Sequence, residues 1–466
     1  MKVHLVAICG TGMGALAGLL KEAGHEVTGS DRAFYPPMDE RLRAWGIPTR
    51  HGFDPAHIAA DTDLVIVGNV CRKDNPEAGA ALARGLRVMS FPQALAEFFI
   101  ADKTSVVVSG THGKTTTAAL LSYVLVEAGL DPSFLVGGIP QNFGKSFHLG
   151  RGGIFVVEGD EYDTAFFDKR PKFLHYRPRI AVLTAVEFDH ADIYPDMAAY
   201  RAAFAGLLSL LPADGLLVVC ADDPEAAALA AAAPCRVVSY GLGPGADWRA
   251  EGIEFEAEAT RFVLVRRGER VGTVALPLAG RHNVANTLGV LAAAEALGVD
   301  AGQAAASLAG FGGVARRMQV RGVVEGVTVI DDFAHHPTKV RETVRAARAR
   351  YPQARMVAVF EPRTNTSRRN IFQASYPASF PGADLVVVVP PFGIEAIPAA
   401  ERFDSAALVA ALRQRGQEAR LSATADAVVE ELAGTLEPGA VVLIMSNGAF
   451  DGIHEKLLAA LRARRR

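Results

Sequence analysis

Val106-Val107-Val108-Ser109-Gly110-Thr111-His112-Gly113-Lys114-Thr115-Thr116-Thr117, followed by Ala118-Ala119-Leu120-Leu121, reads as strand, loop and helix in that order. Three β-branched residues suit a short buried strand. The glycines let backbone N–H groups turn toward an anion, and the start of a helix adds a partial positive charge. Lys114 is then placed to neutralise outer phosphates, and a Thr115 or Thr116 hydroxyl can reach Mg2+. The stretch predicts a cradle for ATP built from Gly110, Thr111, His112, Gly113, Lys114, Thr115 and Thr116. The usual P-loop spacing would put a glycine where Val108 stands, so this is a shortened form of that loop.

Working outward, 466 residues exceed one ordinary domain, and division by about 150 suggests three. Half of the residues are hydrophobic, 21% are charged and the formal net charge is −3. That balance excludes a disordered chain and a nucleic-acid-binding field, and fits a soluble enzyme of small molecules. Cys9, Cys71, Cys220 and Cys235 form no C-x-x-C pair, which argues against a disulfide framework and for a reducing, cytoplasmic setting. The apolar run after Met1-Lys2 is too rich in glycine and too directly continued by a patterned strand to be a secretory signal. No stretch of 18 apolar residues suggests a membrane span, and no obligate protein partner is expected.

Residues 3–8 read as a strand, Gly10 to Gly14 as a turn and Ala15 to Ala23 as a helix, and the next strand ends at Asp31. Gly10-x-Gly12-x-x-Ala15, with an acid 21 positions after Gly10 (31 − 10), satisfies the dinucleotide fingerprint. An NAD-dependent oxidoreductase would use such a turn. A UDP-sugar also has a diphosphate and a ribose, so the turn alone does not choose. Ala33 to Met38 reads as a rigid loop around Pro36-Pro37. The segment from Asn69 to Glu77 follows the strand Leu64-Val-Ile-Val-Gly68, at the sheet edge where open α/β folds bind ligands. Asn75-Pro76 reads equally well as a helix cap with proline at the first helical position.

Further on, the strand 154–157 delivers Glu158-Gly159-Asp160-Glu161-Tyr162-Asp163 next to the phosphate strand, where Mg2+ would need a hard oxygen. Glu187-Phe188-Asp189-His190-Ala191-Asp192 follows the strand 180–184. Residues 236–278 alternate as short strands and polar turns, a small β appendage. His282-Asn283-Val-Ala-Asn286 leads a long apolar helix for which Asn283 is the expected N-cap. Arg316-Arg317 and Asp331-Asp332-Phe-Ala-His335-His336-Pro337 open the last third. Adjacent histidines on extended chain point apart, so this pair makes no two-His chelate. Glu361-Pro-Arg363-Thr-Asn365-Thr and Ser446-Asn447-Gly448 close two later strands.

Taken in order, Gly-Thr-His-Gly-Lys-Thr-Thr-Thr, E-G-D-E-Y-D, D-H-x-D, H-N-x-x-N, R-R-M with D-D-F-A-H-H-P, and S-N-G resemble the motifs of the Mur ligases, which build or recycle the peptide of the bacterial cell wall. The resemblance runs through the whole chain. It implies a three-domain α/β fold: a Rossmann-like UDP-N-acetylmuramate domain at 1–101, a central P-loop ATPase-like domain with a parallel sheet at 102–312, and a C-terminal Rossmann-like peptide-binding domain at 313–466.

It also implies roles. Thr115, Glu158 and His190 would be the metal ligands; His282, Asn283 and Asn286 would meet the adenine. Lys114, His190, Arg317 and His335 would act on the reacting groups, with Arg317 on the γ-phosphate and Asp332 closing over ATP. Gly12, Met13, Gly14, Asp31 and Asn69 would hold the nucleotide sugar, and Arg363, Asn365, Ser446 and Asn447 the peptide. One departure is that many family members carry a carbamylated lysine about 15 residues beyond the metal-binding histidine, and Tyr200-Arg-Ala-Ala-Phe204 has none.

Within the family, Tyr162-Asp163-Thr-Ala-Phe-Phe-Asp168-Lys-Arg170, Glu361-Pro-Arg-Thr-Asn-Thr366 and Ser446-Asn-Gly look most like the branch that joins UDP-N-acetylmuramate to a recycled murein tripeptide. The branch that adds L-alanine to the same nucleotide is the runner-up.

Overall fold

The computed structural model describes residues 1–35 and 38–464; the expected rigid loop at Pro36-Pro37 lies outside them. Each of three sheets is built from one contiguous part of the chain. The first has five parallel strands in the spatial order Thr49–His51, Glu26–Asp31, Lys2–Val6, Leu64–Val67, Arg87–Ser90. Strand order reverses between Lys2–Val6 and Leu64–Val67, and the crevice at that reversal is where such sheets take ligands. Gly10 to Gly14 and Asn69 sit there.

The first helix starts at Thr11, earlier than expected, because Gly10 occupies the N-cap without a side chain to cap it. Two of its glycines are needed for close approach. A Cβ on Gly14 would stand 2.2 Å from Met38 Sδ, and one on Gly18 would stand 2.1 Å from the Phe147 ring of the next domain. The same interface carries Trp45 against Phe147, with ring centres 5.1 Å apart, and Arg41 Nη1 donating to Gly144 O at 2.9 Å.

The central sheet has ten strands, with Thr104–Ser109 paired in parallel between Ile180–Leu183 and Ile154–Gly159. Val106, Val107 and Val108 are completely buried, as a strand covered by helices on both faces requires. The expected β appendage is corrected here. Arg236–Gly241 extends the sheet in parallel, and Trp248–Phe255, Thr260–Arg266 and Glu269–Leu276 continue it as an antiparallel meander. Trp248, Phe262 and Leu264 join the same core as the phosphate-loop helix, so the segment is part of this domain's body.

The third sheet runs Gln319–Val324, Val327–Asp332, Val441–Met445, Met356–Phe360, Leu385–Val388, Glu418–Leu421. All its pairings are parallel except the opening hairpin. Separate hydrophobic clusters cover its two faces. Its strand ends and those of the central sheet face one cleft of about 1320 Å3, which continues to the glycine turn of the first domain.

Candidate active site

The phosphate loop takes the shape its glycines permit. Gly110 and Gly113 have φ of +135° and +80°, and a Cβ on Gly113 would lie 2.8 Å from Asn286 Oδ1. The helix begins at Lys114, so the threonines occupy its first turn, and no side chain caps it. Its free N–H groups are therefore left for an anion. Thr111 is not free in this way: its hydroxyl lies 2.8 Å from Glu187 O and 3.0 Å from the Tyr200 hydroxyl.

Lys114 Nζ donates to Gly110 O at 2.6 Å and to Glu161 Oε2 at 2.9 Å. Glu161, fully buried, is the hub that sequence reading missed. It also meets His190 Nε2 at 3.2 Å and accepts from the Tyr200 hydroxyl at 3.0 Å. Burial pushes its proton affinity up, but the Lys114 and His190 charges outweigh that and hold the carboxyl at about 2. Against the same burial, Glu161 keeps His190 protonated more readily than usual. His190 is thus committed to Glu161 and packs at a tilt against Tyr162, 4.2 Å between ring centres. The lysine-free stretch holds Tyr200, completely buried, on the other side of Glu161.

Thr115 Oγ1 donates to Glu158 Oε1 at 2.8 Å, and Gly137 N–H to Glu158 Oε2 at 2.6 Å. Burial, then the nearby Asp160, raise the proton affinity of Glu158, with Lys114 opposing. A half-buried carboxylate short of positive charge, paired with a hydroxyl, is a hard-oxygen donor set that fits Mg2+. Glu158→Gln keeps the shape and loses the charge. It is expected to shift the Mg2+ dependence of the rate to higher concentration more than it changes the KM for ATP, and His190→Ala to shift it less. An unchanged Mg2+ profile for Glu158→Gln would remove that residue from the metal site.

Arg317 reaches in from the third domain. Its Nη2 lies 3.4 Å from Thr115 Oγ1, while its Nη1 is buried without a hydrogen-bond partner. An orphaned buried guanidinium edge in a phosphate cleft fits an incoming phosphoryl oxygen. Phe333 supports it from below, 4.8 Å from the guanidinium carbon.

Asp332 lines the cleft and also holds the turns of chain around it. Its two oxygens accept from Met318 N and Ala334 N, each at 2.8 Å. His335 lines the cleft with Nδ1 2.9 Å from Phe333 O, and burial pushes its proton affinity down to about 3. It offers a neutral acceptor nitrogen, not a cation. Lys339, two residues into the following helix, also lines the cleft. Burial, then the Arg317 and Lys114 charges, lower its ammonium to about 7.

His282 and Asn286 line the cleft beside the loop. The expected N-cap is corrected: Gly280, with φ +98°, caps the helix Arg281–Ala296, and Asn283 donates back to Ala279 O at 2.7 Å. A side chain at 283 arrives one turn too late for the cap.

In the first domain, Gly12, Met13 and Asn69 line the cleft. Gly14 and Asp31 have other tasks. Gly14 packs on Met38, and Asp31 closes the turn by accepting from Cys9 N at 2.8 Å and Arg32 N at 2.7 Å. Asn75 does cap its helix, accepting from Glu77 N and Ala78 N at 3.1 and 3.0 Å with Pro76 at the first position.

The peptide-side residues separate in the same manner. Arg363 lies over the Phe392 ring at 3.8 Å with Nη1 3.4 Å from Glu361 Oε1. Ser446 is buried and gives its hydroxyl to Glu361, so it braces that pair instead of facing a ligand. Asn365 is also spoken for, donating to Asp192 of the central domain at 3.0 Å and accepting from Arg368 at 2.8 Å. Asn447 Oδ1 is buried without a partner and remains available.

His336 is buried and His335 is half-buried on the cleft wall; desolvation holds both in the neutral form, His335 at about 3 and His336 at about 4, against an ordinary value of 6.5. The unfolded chain binds these protons first, so stability is full above about 6.5 and is lost as pH falls through the window down to the folded values. Thermal melting is expected to drop between pH 7 and pH 5, and His335→Gln to flatten that slope. A melting temperature flat across this range would contradict the neutral assignment.

Comparison with known proteins agrees with this architecture domain by domain. Family models match residues 2–103 (Mur ligase family, catalytic domain), 108–294 (Mur ligase middle domain) and 316–448 (Mur ligase, glutamate ligase domain). The chain is 40% identical over 462 residues to the UDP-N-acetylmuramate–L-alanyl-γ-D-glutamyl-meso-2,6-diaminoheptandioate ligase of Escherichia coli strain K12, covering 99% of this chain and 98% of that one. It is 37% identical over 397 residues to the UDP-N-acetylmuramate–L-alanine ligase of Salinibacter ruber, covering 85% and 82%. The crystal structure of a murein peptide ligase from Psychrobacter arcticus superposes with a TM-score of 0.73 at 34% identity, covering 99% of each chain. With all three domains matched in order, the chain belongs to the Mur ligase family.

Proposed function

We propose that this chain is an ATP-dependent ligase that joins UDP-N-acetylmuramate to the murein tripeptide L-alanyl-γ-D-glutamyl-meso-diaminopimelate, in the recycling of peptidoglycan. The observation that carries the reading is Arg317. A guanidinium from the third domain, with one edge unpartnered, points across the cleft at Thr115 of the phosphate loop. The same cleft extends to the glycine turn of the first domain, lined by Gly10, Gly12, Met13 and Asn69, which supports a nucleotide-sugar site there. The relative bearing the tripeptide-ligase name is more similar to this chain than the L-alanine ligase, and over more of its length.

The chemistry follows from the poor electrophilicity of a free carboxylate. The lactyl carboxylate of the nucleotide sugar displaces ADP from the γ-phosphorus, giving an acyl phosphate. The α-amine of the tripeptide then attacks the acyl carbon, forming the C–N bond and releasing phosphate. The first step brings two anions together. Lys114 and Arg317 offset that repulsion and stabilise charge on the transferring phosphoryl group, and the first turn of the phosphate-loop helix adds N–H donors. Mg2+ held by Thr115 and Glu158 would supply further neutralisation there. Lys114 is held in place by Glu161, so its ammonium is oriented before substrate arrives.

No helix among the described residues is long and apolar enough to cross a membrane. We infer a cytoplasmic enzyme, since ATP and nucleotide-activated sugars are found there. Omitting each substrate in turn tests the reading. ADP release should require the nucleotide sugar and the tripeptide together, whereas release independent of either, or NAD reduction in its place, would overturn it.

A further inference from the structure

Glu187 stands between two imidazoles from different domains. His112 of the phosphate loop brings Nε2 to 2.8 Å from Glu187 Oε2, and His336 of the C-terminal domain brings Nδ1 to 3.8 Å from the same oxygen. These three donor atoms all lie within 4.8 Å of one another. We propose that His112, Glu187 and His336 form a transition-metal site of the zinc class, separate from the Thr115–Glu158 pair, that is complete only when the C-terminal domain is docked on the central one.

The donor chemistry selects the ion. Two imidazole nitrogens and one carboxylate oxygen suit Zn2+, Co2+ or Ni2+ far better than Mg2+, which prefers oxygen alone. With metal–ligand bonds of about 2.0–2.2 Å, tetrahedral donors stand about 3.3 Å apart, so the present spacing needs only small side-chain shifts.

The surroundings are those a ligand set requires. His336 Nε2 faces Phe188 O at 3.3 Å, which fixes the proton there and leaves Nδ1 unprotonated, its lone pair accepting from Thr338 N at 3.3 Å beside Glu187 Oε2 at 3.8 Å. Thr338 Oγ1 donates to Glu187 Oε1 at 2.8 Å and orients the carboxylate. The Glu187 carboxylate is held from both sides, Oε2 by His112 and Oε1 by Thr338. His336 is nearly fully buried while Glu187 is partly exposed, which leaves a fourth position for water. A bound ion would take over the His112 proton position and the weak 3.3 Å contact from Thr338 N to His336 Nδ1.

The consequence is mechanical. An ion here ties the phosphate loop to the helix Pro337–Arg350 across the domain boundary, so it would favour the closed arrangement.

The test is a Co2+ titration of the full-length protein, stripped with a chelator and kept free of nucleotide, following the visible absorption of the bound ion. One equivalent should bind, and Zn2+ should displace it. His336→Asn keeps a capping side chain for the helix but cannot reach Glu187, and should weaken Co2+ binding at least tenfold. Glu187→Gln should act the same way, while Glu158→Gln should leave this equivalent in place. Melting curves should show Zn2+ raising the transition of the parent protein and not of His336→Asn. Absence of a band, or a band that survives His336→Asn and Glu187→Gln but disappears in Glu158→Gln, would overturn the site and place the ion with the phosphates.

Discussion

Lys114→Ala is expected to lower kcat by about 100-fold or more, because the ammonium opposes the charge that builds up on the transferring phosphoryl group. Steady-state ADP release measures it. The structure adds a second consequence that the loop motif does not reveal. Glu161 is fully buried, and Lys114 is its principal counter-charge at 2.9 Å. Breaking one side of such a buried pair typically costs about 3–5 kcal/mol, reduced here to the extent that His190 and Tyr200 still hold the carboxylate. Lys114→Ala should therefore melt earlier as well as turn over slowly. Lys114→Ala with Glu161→Gln separates the two effects, since the neutral amide no longer needs a cation. The double variant should recover stability without recovering rate. Near-normal kcat in either variant would remove Lys114 from the reaction.

The second large effect is expected at Arg363. A tripeptide brings carboxylates far from its reacting amine, and a guanidinium fork binds a carboxylate through two charge-assisted hydrogen bonds. The arginine is fixed beforehand by the Phe392 ring and by Glu361, itself braced by Ser446. Such a contact is worth about 1.5–3 kcal/mol, so Arg363→Ala should lower kcat/KM for the tripeptide roughly tenfold to a hundredfold. L-alanine is too short to reach it, and residual use of L-alanine should hardly change. Gly448→Ala provides an independent test, because the new Cβ would fall 2.0 Å from Arg363 Nε and must push the side chain aside. The same loss with the tripeptide is expected. An Arg363→Ala enzyme with unaltered tripeptide kinetics would take this residue out of the peptide site.

Local signals were the readable ones. A β-branched run, two glycines, a lysine and three threonines determine strand, loop and helix with no help from the rest of the chain, and Asn75-Pro76 determines a cap in the same way. What stayed hidden depends on contacts between distant parts. Four acids between Glu158 and Asp163 look alike in sequence, yet only folding sends Glu161 inward onto Lys114 and Glu158 onto Thr115. Asn283 misled because a glycine with positive φ, not a polar side chain, ends up at the cap. Ser446, Asn365 and Asp31 carry the right chemistry for ligand contact, but the fold employs their polar atoms on its own backbone and side chains. Lys339 and His336 gave no usable pattern, since the groups that face them, Lys114 and Asp189 for the first and Glu187 for the second, come in part from the central domain.

The acceptor is the central claim, and one competition decides it. The protein is given UDP-N-acetylmuramate, ATP and Mg2+ with equal concentrations of L-alanine and L-alanyl-γ-D-glutamyl-meso-diaminopimelate, and the nucleotide-linked products are separated by mass. The tripeptide adduct should predominate, with ADP formed in equal amount. Predominance of the L-alanine adduct would contradict the recycling assignment and make this the alanine-adding enzyme, on the same fold and with the same acyl-phosphate chemistry.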